Sequence, residues 1–223
     1  MATKTDGSLA TDAAAYLAGS GHTIQSVSGN SQEIDDQADS LVKWAQHKNL
    51  IISEAHTAGL KKHGGTTAEH EVFYRETDNR AVKLTYPGTF GVTPDPKGMQ
   101  QAATPLFYLL RLELMNKTFG SDFRLEGITF GKSLLIGVKN ELARMVVSQP
   151  WIRAANPNSP HPSPIELADF MQSLGFLPIK NSYFGWYRKA DNITILDARP
   201  DNFIMSHLGV VPIDLVISKS EPQ

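Results

Sequence analysis

The sequence predicts an α+β fold, and three observations carry that prediction. Apolar residues recur at helical spacing over residues 35–47 and again over residues 105–117. Between and after these come short, alternating, β-rich segments bounded by turn residues. A Pro/Asn/Ser-rich stretch, residues 155–164, then divides a longer β-rich part from a shorter final one. Composition sets the outer bounds. With 41% hydrophobic and 20% charged residues in 223, the chain can bury the core of one domain or of a two-lobed one. A formal charge of −2 leaves no electrostatic footprint for nucleic acid or an anionic membrane. Cysteine is absent, which excludes disulfides, thiolate zinc sites and cysteine nucleophiles. No apolar run approaches membrane-spanning length, so a cytoplasmic location is expected.

Residues 1–35 are rich in Ala, Ser, Thr, Gly and Asp with little periodicity. They read as a flexible tail, with one short helix around residues 13–17. Ala38, Leu41, Val42, Trp44 and Ala45 then make residues 35–47 an amphipathic helix. His56, His63 and His70 stand seven apart, but Gly64 and Gly65 interrupt any helix that could align them as metal ligands, so scattered surface histidines are the better reading. Residues 71–75 and 80–85 alternate on either side of Thr77, Asp78 and Asn79, the pattern of a β-hairpin. Its second strand carries Arg80-Ala81-Val82-Lys83, close to the V-A-I-K form in which a strand lysine contacts nucleotide phosphates. Ahead of it, Gly64 and Gly65 could cover those phosphates with backbone N–H groups. A solvent-facing lysine is the plainer reading of Lys83, and the order of loop, hairpin and lysine favours the functional one.

The clearest helix is residues 105–117, with Thr104 as N-cap and Pro105 at its first position. It is apolar nearly all round, so burial against a sheet is expected. Glu113 is its only acid. Strand-like segments follow at residues 123–129, 133–138 and 142–147. Within them, Gly127 to Ser133 is a near miss for a Walker A loop: three residues separate the glycines instead of four, and no helix pattern follows. Gly131-Lys132 therefore reads as a hairpin turn. Ser148 to Trp151 breaks the sheet pattern. Residues 164–174 form a short amphipathic helix closed by Gly175, and residues 183–188 an aromatic-rich strand.

Residues 195–214, ILDARPDNFIMSHLGVVPID, are the stretch the rest serves. An apolar run ending at Leu196 delivers Asp197 to a strand end, and Asn202 follows across a turn marked by Pro200. Two further apolar segments, 203–205 and 210–213, joined through Gly209, bring Asp214 back toward both. Two carboxylates and an amide oxygen then converge, hard ligands suited to magnesium. Pro, Asp and Asn are also ordinary turn formers, and a strand–turn–hairpin without a site is the plain alternative.

The spacing D-x-x-x-x-N with a third acid twelve residues on resembles the catalytic loop and metal-binding acid of protein kinases and aminoglycoside-type phosphotransferases. EHEVFY, RAVKLTYPG, PLFYLLRLELMN, SQPWI, DARPDNF and PIDLVI are most similar to the compact kinase-like domain of polyvalent proteins of phages and mobile elements. The resemblance covers roughly residues 60–217. It implies a two-lobed protein-kinase-like fold, with a β-rich N-terminal lobe holding one central helix and a reduced helical C-terminal lobe. Residues 36–148 would be the first lobe and 149–223 the hinge and second lobe. It also implies an ATP- and magnesium-dependent transfer of a phosphoryl group to a hydroxyl acceptor. Lys83 would hold the phosphates with Glu113 behind it, and backbone groups from Val147 to Gln149 would meet the adenine edge. Asp197 would position the acceptor, Arg199 would offset charge on the moving group, and Asn202 and Asp214 would bind the metal. Ile195 stands where the family carries a histidine, and Asp214-Leu215-Val216 lacks the family's glycine. The chain stops nine residues past Asp214, where large kinases begin a peptide platform, and the hydroxyl acceptor, a small molecule or a protein, is left open. The alternative from another class is a pseudokinase, a nucleotide-binding or protein-interaction module.

Overall fold

The structure is a computed structural model that describes residues 7–22, 31–53, 56–63, 69–94, 100–132 and 141–219. It is mixed α+β, with four helices and several antiparallel sheets among those residues. The chain divides into two compact units: residues 1–113 with 122–151, and residues 114–121 with 152–223. None of the helices among the described residues is long and apolar enough to cross a membrane.

The first unit is built on a five-stranded sheet in the order β1-β2-β3-β7-β6. Its strands are β1 (Lys61–Lys62), β2 (His70–Arg75), β3 (Arg80–Thr85), β6 (Arg124–Lys132) and β7 (Glu141–Pro150). The expected hairpin is present. β2 and β3 pair from His70↔Thr85 to Arg75↔Arg80, and Asn79 closes their turn at φ 54, a left-handed conformation that Asn tolerates. One sheet face carries Val82, Leu84 and Val146, with Ile52, Leu60 and Phe73 packed against them. Residues 50–52 run alongside β6 in an isolated parallel bridge: Leu50 accepts from the Ile128 N–H and Ile52 donates to the Ile128 carbonyl. A Cβ at Gly127 would overlap the Leu50 carbonyl oxygen, so that glycine serves a close approach of two backbones. A further hairpin joins β4 (Val92–Pro94) to β5 (Gln100–Ala102).

Helix α1 (Gly7–Gly19) extends the short helix expected around residues 13–17 and replaces that part of the expected tail. Ala10, Ala13, Ala14 and Leu17 are all buried, and the helix packs on β6 and on α2 (Ser31–His47). Small alanines make a weak periodic signal, yet they let a good helix former approach a sheet closely. Helix α3 (Pro105–Phe119) starts as expected, with the Phe107 N–H donating to Thr104 Oγ1 at 3.2 Å. Gln37 adds a cap from another element, its buried Oε1 accepting from the Leu106 N–H at 3.0 Å.

Two other expectations change. Gly131 and Lys132 are not a turn; they are the last residues of β6, opposite Leu142 and Glu141. A Walker-type cradle needs a loop opening a helix, and this segment is strand. Gly64, Gly65 and the expected strand at 133–138 lie outside the described residues.

Glu126 sits at the β6 irregularity between Leu125 and Gly127. Arg75 grips its carboxylate from two nitrogens at 2.6 and 2.7 Å. His56 Nε2 lies 2.9 Å from Oε2 and 3.3 Å from Arg75 Nη1. One ring nitrogen cannot donate and accept at once, so the shorter contact to the anion makes it the donor. Burial alone would raise the Glu126 carboxyl, but hydrogen bonds from Arg75, Ser148 and His56 override it and hold it down at about 2. A depressed carboxyl contributes stability above its unfolded value of 4.5, and that contribution fades as pH falls toward 2. Glu126→Gln should therefore lose about 2 kcal/mol less than the parent between pH 7 and pH 3, read from urea midpoints. Equal acid losses in the two proteins would dismiss this network as the acid-labile element.

The second unit is richer in strands than the expected helical lobe. α4 (Pro164–Ser173) is the one helix wholly within it among the described residues. Ser163 and Glu166 cap α4 reciprocally, a capping box with Pro164 at the first position. A four-stranded antiparallel sheet runs β13-β10-β9-β8: β8 (Leu177–Pro178), β9 (Trp186–Arg188), β10 (Ile193–Ile195) and β13 (Ile217–Lys219). β11 (Phe203–Ser206) and β12 (Gly209–Pro212) form the terminal hairpin. Phe203 is fully buried and meets Phe170 of α4 edge-on at 6.2 Å, while Phe119 stacks between Phe170 and Phe176.

Candidate functional site

Four of the residues singled out from sequence lie together in the second unit. β10 ends at Ile195, pinned between β9 and β13, so the chain leaves the sheet with Asp197 at its edge. The Leu196 N–H donates to the Val216 carbonyl at 3.0 Å, which ties the start of the loop to the segment after Asp214. Pro200 to Asn202 form one short 3₁₀ turn, the tight bend that Pro at its first position sets up.

Asn202 is buried and organises the loop. Its Nδ2 donates both to the Asp197 backbone carbonyl and to Asp197 Oδ2, each at 2.8 Å. Its own carbonyl accepts from the Ile213 N–H at 2.8 Å and the Asp214 N–H at 3.4 Å. One residue thus holds Asp197 on one side and the end of the β11–β12 hairpin on the other. With both amide hydrogens spent on Asp197, Asn202 Oδ1 is turned elsewhere, and it accepts no hydrogen bond among the described residues. An amide oxygen and a carboxylate are both hard donors of the kind a divalent cation takes. Arg199 occupies the outer side. Its Nε donates to Asp197 Oδ1 at 2.9 Å and Nη1 lies 3.5 Å from Asp201 Oδ2. About half-exposed, it balances the acids of its own loop.

The first unit holds the remaining candidates. Lys83 is buried in the middle of β3, opposite Val72 on one side and Val147 on the other. Its ammonium lies 5.4 Å from the Phe123 ring centroid, a cation–π distance. Burial to this degree separates Lys83 from an ordinary surface lysine. Glu113 does not pair with it. Among the described residues Glu113 makes no ion pair, and its Oε1 is buried without a hydrogen-bond partner. Helix geometry accounts for the miss: Glu113 stands about 200° round the helix from Arg111, which is the α3 residue that meets Glu69, the acid just before β2. Val147 and Gln149 also differ from expectation. Val147 lies inside the sheet, paired with Lys83 and Leu125, and Gln149 is opposite Ala81. The Val147 backbone, between two paired strands, cannot also read an adenine edge, whereas Gln149 has a strand opposite on the β3 side only.

Glu69, His70, Tyr108 and Arg111 were not anticipated. Arg111 Nη1 donates to both Glu69 oxygens, at 3.1 and 2.8 Å, and the Val92 N–H donates to Glu69 Oε1 at 3.0 Å. His70 Nε2 lies 2.7 Å from the Tyr108 hydroxyl. All four are buried. The available signal was the helical spacing of Thr104, Tyr108, Arg111 and Met115, one stripe along α3. His56 and His63 are accounted for separately, by Glu126 and by an edge-on contact with Trp151 at 4.5 Å.

Compared with protein-family models, with curated proteins and with solved structures, the chain finds no match.

Proposed function

We propose that this protein is an ATP- and magnesium-dependent phosphotransferase of the two-lobed, kinase-like kind, acting on a hydroxyl acceptor. The observation that carries the proposal is the clasp made by Asn202, which fixes Asp197, presents an open amide oxygen and anchors the Asp214 backbone. Asn202 and Asp214 would hold magnesium, and Lys83, desolvated in β3, would hold phosphate oxygens. Magnesium-bound ATP would supply a phosphoryl group whose charge is already neutralised. Asp197 orients the acceptor hydroxyl and takes its proton as that oxygen bonds to the γ-phosphorus and the bond to the ADP oxygen breaks. Arg199, beside Asp197, offsets charge at the same end of the loop.

The second reading is a nucleotide-binding or protein-interaction module without catalysis. It draws on Glu113, which leaves Lys83 without the carboxylate the resemblance assigns to it.

A thermal shift experiment tests the shared premise. ATP should raise Tm more with magnesium than with EDTA, because a ligand that binds only the native state stabilises it. Lys83→Ala should abolish the shift, while Lys132→Ala, at the exposed end of β6, should keep it. No shift with either nucleotide form in the parent protein would sink the phosphotransferase reading and leave only the protein-interaction module.

A further inference from the structure

The turn that joins β8 to β9 has no role in the chemistry above, yet it is attached to the loop that does. The Phe184 carbonyl accepts from the Ala198 N–H at 3.0 Å, one residue from Asp197. The turn is closed by backbone hydrogen bonds from Ile179 to Gly185 and from Ser182 to Ile179, at 2.9 and 3.1 Å. Asn181 takes the left-handed conformation within it, at φ 66. A Cβ at Gly185 would overlap Ser182 Oγ and crowd Ile179 Cδ1, so the turn closes only around glycine. This rigid turn holds Tyr183 98% exposed and Phe184 41% exposed, with Leu177 at 68% on the adjoining strand.

Three large apolar side chains held out to solvent on one hairpin are a surface for a macromolecule. A small molecule is held by a concavity that buries most of it, whereas exposed apolar groups on a pre-formed turn suit a polypeptide. Rigidity lowers the ordering cost of binding. Lys180, exposed in the same turn, makes no ion pair among the described residues and adds a preference for acidic neighbours. Resting on the phosphotransferase reading, we propose that the 179–185 turn docks the acceptor, and that the acceptor is a polypeptide whose hydroxyl stands near a large apolar residue.

The test uses the full chain, radiolabelled ATP with magnesium, and a positional-scanning peptide library with fixed Ser, Thr or Tyr. Labelling should favour Leu, Phe or Met at one position close to the hydroxyl. The double substitution Tyr183→Ala with Phe184→Ala should raise KM for the favoured peptide at least about ten-fold, with kcat within about two-fold. The turn keeps its attachment in that variant, because Phe184 contacts Ala198 through its backbone. Tyr183→Phe alone should retain the parent KM. Leu208→Ala, an equally exposed apolar residue on the β11–β12 turn, should change nothing. Labelling without positional preference, or an unchanged KM in the double variant, would overturn the docking role while leaving ATP turnover intact. Transfer only to glycerol, sugars or the chain's own second copy would overturn it in favour of those acceptors. A parent protein that neither binds nor turns over ATP fails earlier, at the phosphotransferase reading itself.

Discussion

Replacing Asp197 by Asn should lower phosphoryl transfer by about 10²- to 10⁴-fold and leave ATP affinity where it was. Asp197 is the one acid of the loop with both oxygens committed to neighbours that orient it, Arg199 Nε at 2.9 Å and Asn202 Nδ2 at 2.8 Å. An Asn keeps one acceptor and offers an N–H₂ where the other stood, so one of those donors loses its partner. The loop stays closed, because Asn202 also holds the backbone carbonyl at this position. What disappears is a base able to take a proton. ATP affinity should not follow, since Asn202 and Asp214 are the residues assigned to the metal. Single-turnover transfer from radiolabelled ATP, alongside ATP titration by fluorescence or calorimetry, separates the two quantities. A variant that transfers like the parent would remove Asp197 from the chemistry, and one that loses ATP affinity equally would make it a metal ligand instead.

The elements that sequence predicts well here are those whose signal is local. The β2–β3 hairpin shows alternation on both strands and an Asn at the turn that needs positive φ. Helix α3 declares its start through Thr104 and Pro105, and α4 through Ser163, Pro164 and Glu166. The Asp197–Asn202 loop is legible for the same reason, a strand end and a proline turn within six residues. Helix α1 is expected only as a short helix over residues 13–17 because its packing face is mostly alanine, which weighs little in any hydrophobic pattern. Lys132 and Val147 are misjudged because residue type does not reveal which backbone groups a neighbouring strand has already taken. The pairing that places Val147 between Lys83 and Leu125 joins residues far apart in sequence.

Glu113 and Arg111 show the same limit on a helix. Both are charged residues within an apolar run, two positions apart, and composition alone prefers the acid for a lysine on β3. Which of them faces the strands depends on the phase of α3, set by Tyr108 against His70 at 2.7 Å. Once Tyr108 faces β2, Arg111 three residues on faces it too. Glu69, immediately before β2, is then in place to receive it.

That buried pair carries the second large effect expected of substitution. Glu69→Ala should destabilise the fold by about 3 to 5 kcal/mol, most of it the cost of an Arg111 guanidinium left in an apolar interior. Both side chains are more than nine-tenths buried, with Nη1 2.8 Å from Oε2. Glu69 also accepts from the Val92 N–H, so its loss strands a backbone donor at the start of β4. The Gly91 backbone fits closely here: a Cβ on it would come within 3.3 Å of Arg111 Nη1, Glu69 Oε2 and Tyr108 Cδ2. Surrounding atoms therefore have little room to collapse into the space that Ala leaves. Arg111→Met, which fills similar volume without charge, should cost a comparable amount for the reverse reason, a buried carboxylate that has lost its guanidinium. The double change, Glu69→Ala with Arg111→Met, should cost clearly less than the two single changes added together, since neither charge is left facing the other's empty place. Urea unfolding of the four proteins at pH 7 measures the cycle, with equal m-values required before midpoints are compared. Additive costs would mean that the pair is not coupled, and that each charge is held by its other contacts instead of by its partner.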